Sequence, residues 1–176
     1  MKKNNIILIG FMGSGKTTVG LRLSYRLRRV VEDTDKLIEK KAGRTIADIF
    51  AEEGEKHFRN LETEMLQELC GTCEGKIISV GGGTPVRQEN RSLLQTLGMV
   101  IYLRVRPETV YKRLKGDTTR PLLQGDDPEG KIRQLMTARR EAYESCADLI
   151  IDTDELDIDH ILDKIQEFTE RKGNPA

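Results

Sequence analysis

Ile6-Ile7-Leu8-Ile9-Gly10-Phe11-Met12-Gly13-Ser14-Gly15-Lys16-Thr17 decides the architecture of this chain. Four consecutive branched apolar residues read as a strand buried on both faces. The pattern G-x-x-x-x-G-K-[ST] follows at once, from Gly10 to Thr17, and opens an amphipathic stretch expected to be helical from 16 to 28. In a strand–loop–helix of this kind, glycines let the backbone N–H groups converge on phosphate oxygens. The helix N-terminus adds partial positive charge. Lys16 then reaches the β- and γ-phosphates of a nucleotide, and the Thr17 hydroxyl can ligate magnesium. The motif alone does not say whether the phosphoryl group goes to water or to another molecule.

Outward from this loop, apolar runs at Val30-Val31, Ile77-Ile78-Ser79-Val80, Val100-Ile101-Tyr102-Leu103 and Leu149-Ile150-Ile151 alternate with longer amphipathic segments. Helices are expected near 36–42, 46–52, 55–70, 88–96, 107–115, 129–146 and 158–171. This alternation predicts a three-layer α/β domain, a mainly parallel five-stranded sheet wrapped by helices. Thr45-Ile46-Ala47-Asp48 has the form of a capped helix start. Arg28-Arg29 stands where a glycine is expected to end the first helix. The polar stretch 116–127 is the candidate mobile lid.

With 176 residues, a single domain covering 1–176 is expected. Its 29 basic and 29 acidic side chains cancel, so no overall field favours a nucleic-acid or membrane-surface partner. The apolar opening is too short for a membrane span and lacks a cleavage site, and three cysteines suit a reducing cytoplasm. Cys70-Gly-Thr-Cys73 reads as a helix end and turn, since too few further ligands remain for zinc. The acidic run Asp152 to Asp159 reads as a solvated helix start. A monomer is the expectation from size.

Phosphate loops commonly act with a metal-positioning acid at another strand end, and Glu32-Asp33-Thr34-Asp35 supplies candidates. In extended backbone Asp33 and Asp35 point the same way. One can serve a metal while the other orients an acceptor hydroxyl and takes its proton; alternatively both are solvated turn carboxylates. Arg139 falls in the apolar stripe Ile132, Leu135, Met136, Ala142, Tyr143, Cys146, so it either joins a structural ion pair or awaits an anion. Arg59 has Glu62 three residues on, the spacing of an ordinary surface pair. Arg120, beside Pro121, could swing over phosphates and neutralise charge during transfer.

Taken in order, the phosphate loop, Asp33-Thr34-Asp35, Arg59, Gly81-Gly82-Gly83, Arg120-Pro121-Leu122-Leu123 and Arg139 closely resemble the shikimate kinase family over residues 6–152. The resemblance implies a nucleoside-monophosphate-kinase architecture with strand order 2-3-1-4-5, substrate-binding helices across 36–62, and the lid 116–127. It implies ATP-dependent phosphorylation of the 3-hydroxyl of shikimate, within aromatic amino-acid biosynthesis. Lys16, Asp35 and Arg120 would be catalytic. Gly13, Ser14, Gly15, Lys16, Thr17, Thr18, Arg113 and Arg120 would bind ATP, and Asp35, Arg59, Gly81, Gly82, Gly83 and Arg139 would bind shikimate. Asp33 and Thr17 would hold Mg2+, and Phe50 and Phe58 would wall the ring. No proline stands opposite Arg113 in 152–160, so Leu156 or Ile158 is expected to face adenine there. The competing readings are a kinase of gluconate or a nucleoside monophosphate, and a nucleotide-binding module that transfers nothing.

Overall fold

The computed structural model describes residues 3–117 and 124–173. Five strands form one sheet: β1 (Ile6–Ile9), β2 (Val31–Asp33), β3 (Ile77–Ser79), β4 (Met99–Arg104) and β5 (Leu149–Asp152). Their order is β2-β3-β1-β4-β5, and every neighbouring pair is parallel. The helices are α1 (Lys16–Leu27), α2 (Thr34–Ala42), α3 (Ile46–Thr72), α4 (Gln88–Leu97), α5 (Pro107–Leu114), α6 (Pro128–Cys146) and α7 (Ile158–Gly173), with a 3-10 turn at Thr84–Val86.

The expected three layers are present, and strand alternation shows why. Ile6, Leu8, Ile77, Ile101 and Leu103 face Val19 and Leu23 of α1 and Ile161, Leu162 and Ile165 of α7. The intervening residues Ile7, Ile9, Ile78, Val100 and Tyr102 face the second core, which holds Phe58, Met65 and Leu66 of α3, Leu94 of α4, and Ile132 and Tyr143 of α6. Central strands covered on both faces need apolar residues at every position, which is the signature read in the sequence. Buried Asn5 anchors the start of β1: its amide donates to the Cys73 and Leu97 carbonyls, and its oxygen accepts from the Lys76 N–H.

Local details refine the expectations. The two helices foreseen at 46–52 and 55–70 are one element broken at Gly54 (φ 81°, ψ 174°). Thr45 and Asp48 form the anticipated capping box at its start, and Cys73 closes its end by donating its N–H to Leu69. At the end of α1 no glycine is needed because Arg28 itself adopts the left-handed conformation (φ 53°), and its N–H reaches the Ser24 carbonyl. The acidic run before α7 is not wholly solvated: the Asp154 carboxylate is 8% exposed and accepts from the Arg106 N–H and the Thr109 hydroxyl, so it caps the start of α5.

Candidate active site

The site gathers at the carboxyl ends of β1, β2 and β3, where a parallel sheet leaves its loops pointing into one crevice. A cavity of about 560 Å³ is lined by Met12 to Val19, Asp33, Asp35, Gly81, Gly82, Arg113, Leu156 and Ile158, among others. Gly13 and Gly15 hold positive φ (75° and 97°), and Gly15 caps α1, so the loop curls its N–H groups inward. Lys16 Nζ donates to the Gly10 and Phe11 carbonyls at 2.7 and 3.1 Å. Ser14 is 2% exposed, and its Oγ is buried with no hydrogen-bond partner. Arg113, on α5, donates to the Gly13 carbonyl at 2.8 Å. Leu156 and Ile158 line the same cavity as Arg113.

Asp33 and Asp35 reach the cavity by a route different from the extended one expected. Aspartate is a strong helix cap, so the strand stops at Asp33, whose Oδ1 accepts the Asp35 and Lys36 N–H groups at 2.9 and 3.2 Å. Asp35 therefore sits in the first turn of α2. Both carboxylates nevertheless line the cavity. Burial, then the neighbouring Asp33 and Glu62 carboxylates, push the Asp35 carboxyl up from 3.8 to about 6, against the pull of Lys16 and Arg59. Its Oδ1 is buried and has no hydrogen-bond partner. A Cβ on Gly81 would stand 3.0 Å from that oxygen, so the glycine leaves space beside it.

The two arginines converge on the glycine triplet from opposite helices. Arg59, on α3, lies against Gly83, where a Cβ would overlap its guanidinium nitrogens. Its Nη1 meets Glu62 Oε2 at 2.6 Å, and the Glu62 side chain is 1% exposed, so the pair is not the ordinary surface pair its spacing suggested. Burial opposes the Arg59 charge, but Glu62 and Glu55 more than restore it. Half-buried Arg139, on α6, packs over the Phe11 ring at 5.7 Å, with Nη1 3.7 Å from where a Gly82 Cβ would be. Arg140, one residue on, points outward to Glu144. Phe50 and Phe58 stack at 4.8 Å between centroids, Phe58 buried and Phe50 37% exposed. Arg120 and half of the expected lid, residues 118–123, lie outside the described residues.

Several contacts around this chamber were not anticipated from sequence. Tyr143 donates its hydroxyl to the Gly82 carbonyl at 2.6 Å, and Thr84 donates to Glu62 Oε1 at 2.5 Å. Glu62 had a legible signal, since it falls on the same apolar face of α3 as Phe58, Met65 and Leu66.

Thr17 and Asp33 offer hard oxygen donors on the same cavity, a donor set that suits Mg2+. Among the described residues no cluster of three or more His, Cys, Asp or Glu could hold a metal ion. Such an ion would be completed by phosphate oxygens and water, as Mg2+ ordinarily is with nucleotides.

A parallel sheet of this order, with a phosphate loop after its central strand and a carboxylate–arginine chamber beside it, defines a phosphate-loop kinase acting on a small anionic acceptor. Residues 12–170 match the family model for shikimate kinase. Shikimate kinase of Symbiobacterium thermophilum is 45% identical over 171 residues, covering 96% of this chain and 98% of that protein. The enzyme of Thioalkalivibrio sulfidiphilus is 42% identical, covering 94% and 86%. Among solved structures, shikimate kinase from Acinetobacter baumannii in complex with shikimate superposes with a TM-score of 0.88 at 38% identity, covering 98% of this chain and 95% of that one. The chain belongs to the shikimate kinase family.

Proposed function

We propose that this chain transfers the γ-phosphoryl group of ATP to the 3-hydroxyl of shikimate, giving shikimate 3-phosphate and ADP. The observation that carries the acceptor side is Asp35: a buried carboxylate oxygen without a partner, raised to about 6, lining the cavity within electrostatic reach of Arg59. Such a group is poised to accept the acceptor's hydroxyl proton near neutral pH. Arg59 and Arg139 bring two planar forks to the glycine triplet, at Gly83 and Gly82, a pair of groups suited to a carboxylate.

In this reading the acceptor oxygen attacks the γ-phosphorus, the bond from phosphorus to the β–γ bridging oxygen breaks, and Asp35 receives the hydroxyl proton. Gly13, Ser14, Gly15, Thr17 and Thr18 surround the phosphates, and Lys16 turns from its carbonyl partners to meet the β- and γ-oxygens. Arg113 lies against adenine, with Leu156 and Ile158 opposite. Arg120 adds positive charge from the lid. Mg2+, when bound at Thr17 and Asp33, would neutralise phosphate charge. Most of the acceleration then comes from positioning and charge stabilisation. A cytoplasmic monomer completes the reading; no helix among the described residues is long and apolar enough to cross a membrane.

The test is ADP release by purified protein with magnesium and ATP, comparing no acceptor, shikimate, gluconate, AMP and CMP. Stimulation by shikimate alone is the expected result. Stimulation by another acceptor would keep the kinase and overturn the chamber assignment; no stimulation by any would favour a non-catalytic nucleotide-binding module.

A further inference from the structure

Glu62 is a carboxylate with almost no access to water, and both of its oxygens are bound. Oε2 takes Arg59 Nη1 at 2.6 Å, and Oε1 takes the Thr84 hydroxyl at 2.5 Å. A buried carboxylate left without such donors would be a costly unpaired polar group. Thr84, 1% exposed, is itself fixed on two more sides: its N–H donates to the Gly81 carbonyl at 3.0 Å, and its carbonyl accepts from Asn90 Nδ2 at 3.0 Å. Fully buried Asn90 accepts from the Thr63 hydroxyl at 2.8 Å, and that hydroxyl also lies 3.1 Å from the Arg59 carbonyl. The chain of contacts therefore runs from the Arg59 guanidinium through Glu62, Thr84, Asn90 and Thr63 back to the Arg59 backbone. It ties α3, the 3-10 turn and α4 to one guanidinium.

We propose that Thr84 is a positioning residue for acceptor binding. Its hydroxyl locks the Glu62 carboxylate, which holds the Arg59 fork flat against Gly83 in the orientation that meets a carboxylate ligand. Thr84 touches no reacting atom in this account and acts only through Glu62. The inference rests on the reading that Arg59 grips the acceptor's carboxylate.

Steady-state kinetics of Thr84→Val, Thr84→Ser and Arg59→Lys test it, with the melting temperature of each variant recorded. Valine keeps the shape and removes the donor; serine keeps the donor. The expected result for Thr84→Val is a rise of about ten-fold in shikimate KM, the scale of one hydrogen bond to a charged group. Its kcat and ATP KM should move by less than about two-fold, which separates positioning from a general loss of structure. Thr84→Ser restores the shikimate KM. A parental shikimate KM in the valine variant overturns the proposal, as does a serine variant equally impaired, or an ATP KM that rises in parallel. If the valine variant does not fold, Thr84→Ala carries the same expectation. Arg59→Lys separates the two layers of the argument. An unchanged shikimate KM there removes the clamp itself and Thr84 with it, whereas a raised value beside a normal Thr84→Val removes only the Thr84 role.

Discussion

Asp35→Asn should make the protein more stable and nearly inactive. The folded carboxyl is raised from 3.8 to about 6, so ionising it in the folded state costs about 3 kcal/mol relative to the unfolded chain. For an acid raised by folding, the penalty is absent below the unfolded value, grows between 3.8 and about 6, and is complete above that window. Asparagine mimics the neutral form. The stabilisation on substitution should therefore be about 3 kcal/mol near pH 7.5 and less than about 0.6 kcal/mol near pH 4. For a chain of this size, the larger figure corresponds to a rise of about 6–12 °C in Tm. Over the same comparison kcat should fall by about 100- to 10,000-fold, the usual contribution of a general base, with ATP KM little altered. In the parent, kcat/KM for shikimate should decline below about pH 6 as Asp35 takes up a proton. Thermal melts of both proteins at the two pH values, beside a coupled ADP assay, make the measurement. An asparagine variant that melts at or below the parent near pH 7.5 would refute the electrostatic argument, and near-normal turnover would remove Asp35 from proton transfer.

Gly83→Ala would drive its methyl into the Arg59 guanidinium, so shikimate KM should rise about ten-fold with ATP KM unchanged; an unaffected shikimate KM would show that Arg59 need not lie there. Arg139→Lys replaces a planar fork by a point charge and should raise shikimate KM by about ten-fold in the same assay, with little effect on ATP. Arg28→Gly removes the cost of a left-handed arginine on an exposed helix end, and chemical denaturation should show a gain of about 0.5–1 kcal/mol; a loss would mean that the arginine side chain contributes more than its backbone costs.

Much of the molecule was legible because its signals are short-range. Ile6 to Ile9 are apolar at every position because a central parallel strand is covered on both faces, and the adjoining Gly10–Thr17 spacing encodes a phosphate-cradling turn within eight residues. The capping box at Thr45 and Asp48 is likewise local chemistry. Arg139 declared itself by standing in an apolar stripe of α6, since a guanidinium facing inward needs a counterpart.

What stayed hidden depends on neighbours distant in sequence or on competition between local preferences. Asp33 was legible as a candidate and lines the cavity, yet its capping of α2 displaced the extended geometry from which a shared face with Asp35 was argued. Gly54 interrupts α3 without ending it, and Arg28 supplies the left-handed turn that a glycine was expected to make, since a propensity difference of about 1 kcal/mol is a weak constraint on any one residue. The sequence by itself determined the sheet and the phosphate loop, carried by periodicity and motif spacing, and it marked Asp33, Asp35, Arg59 and Arg139 as candidates with alternatives open. Only the tertiary structure decided that Glu62 is buried against Thr84, that Tyr143 holds the Gly82 carbonyl across 61 residues of chain, and that burial and neighbouring carboxylates push the Asp35 carboxyl up to about 6. Burial and electrostatic coupling belong to the assembled surroundings of a group, and residues far apart in the chain supply those surroundings.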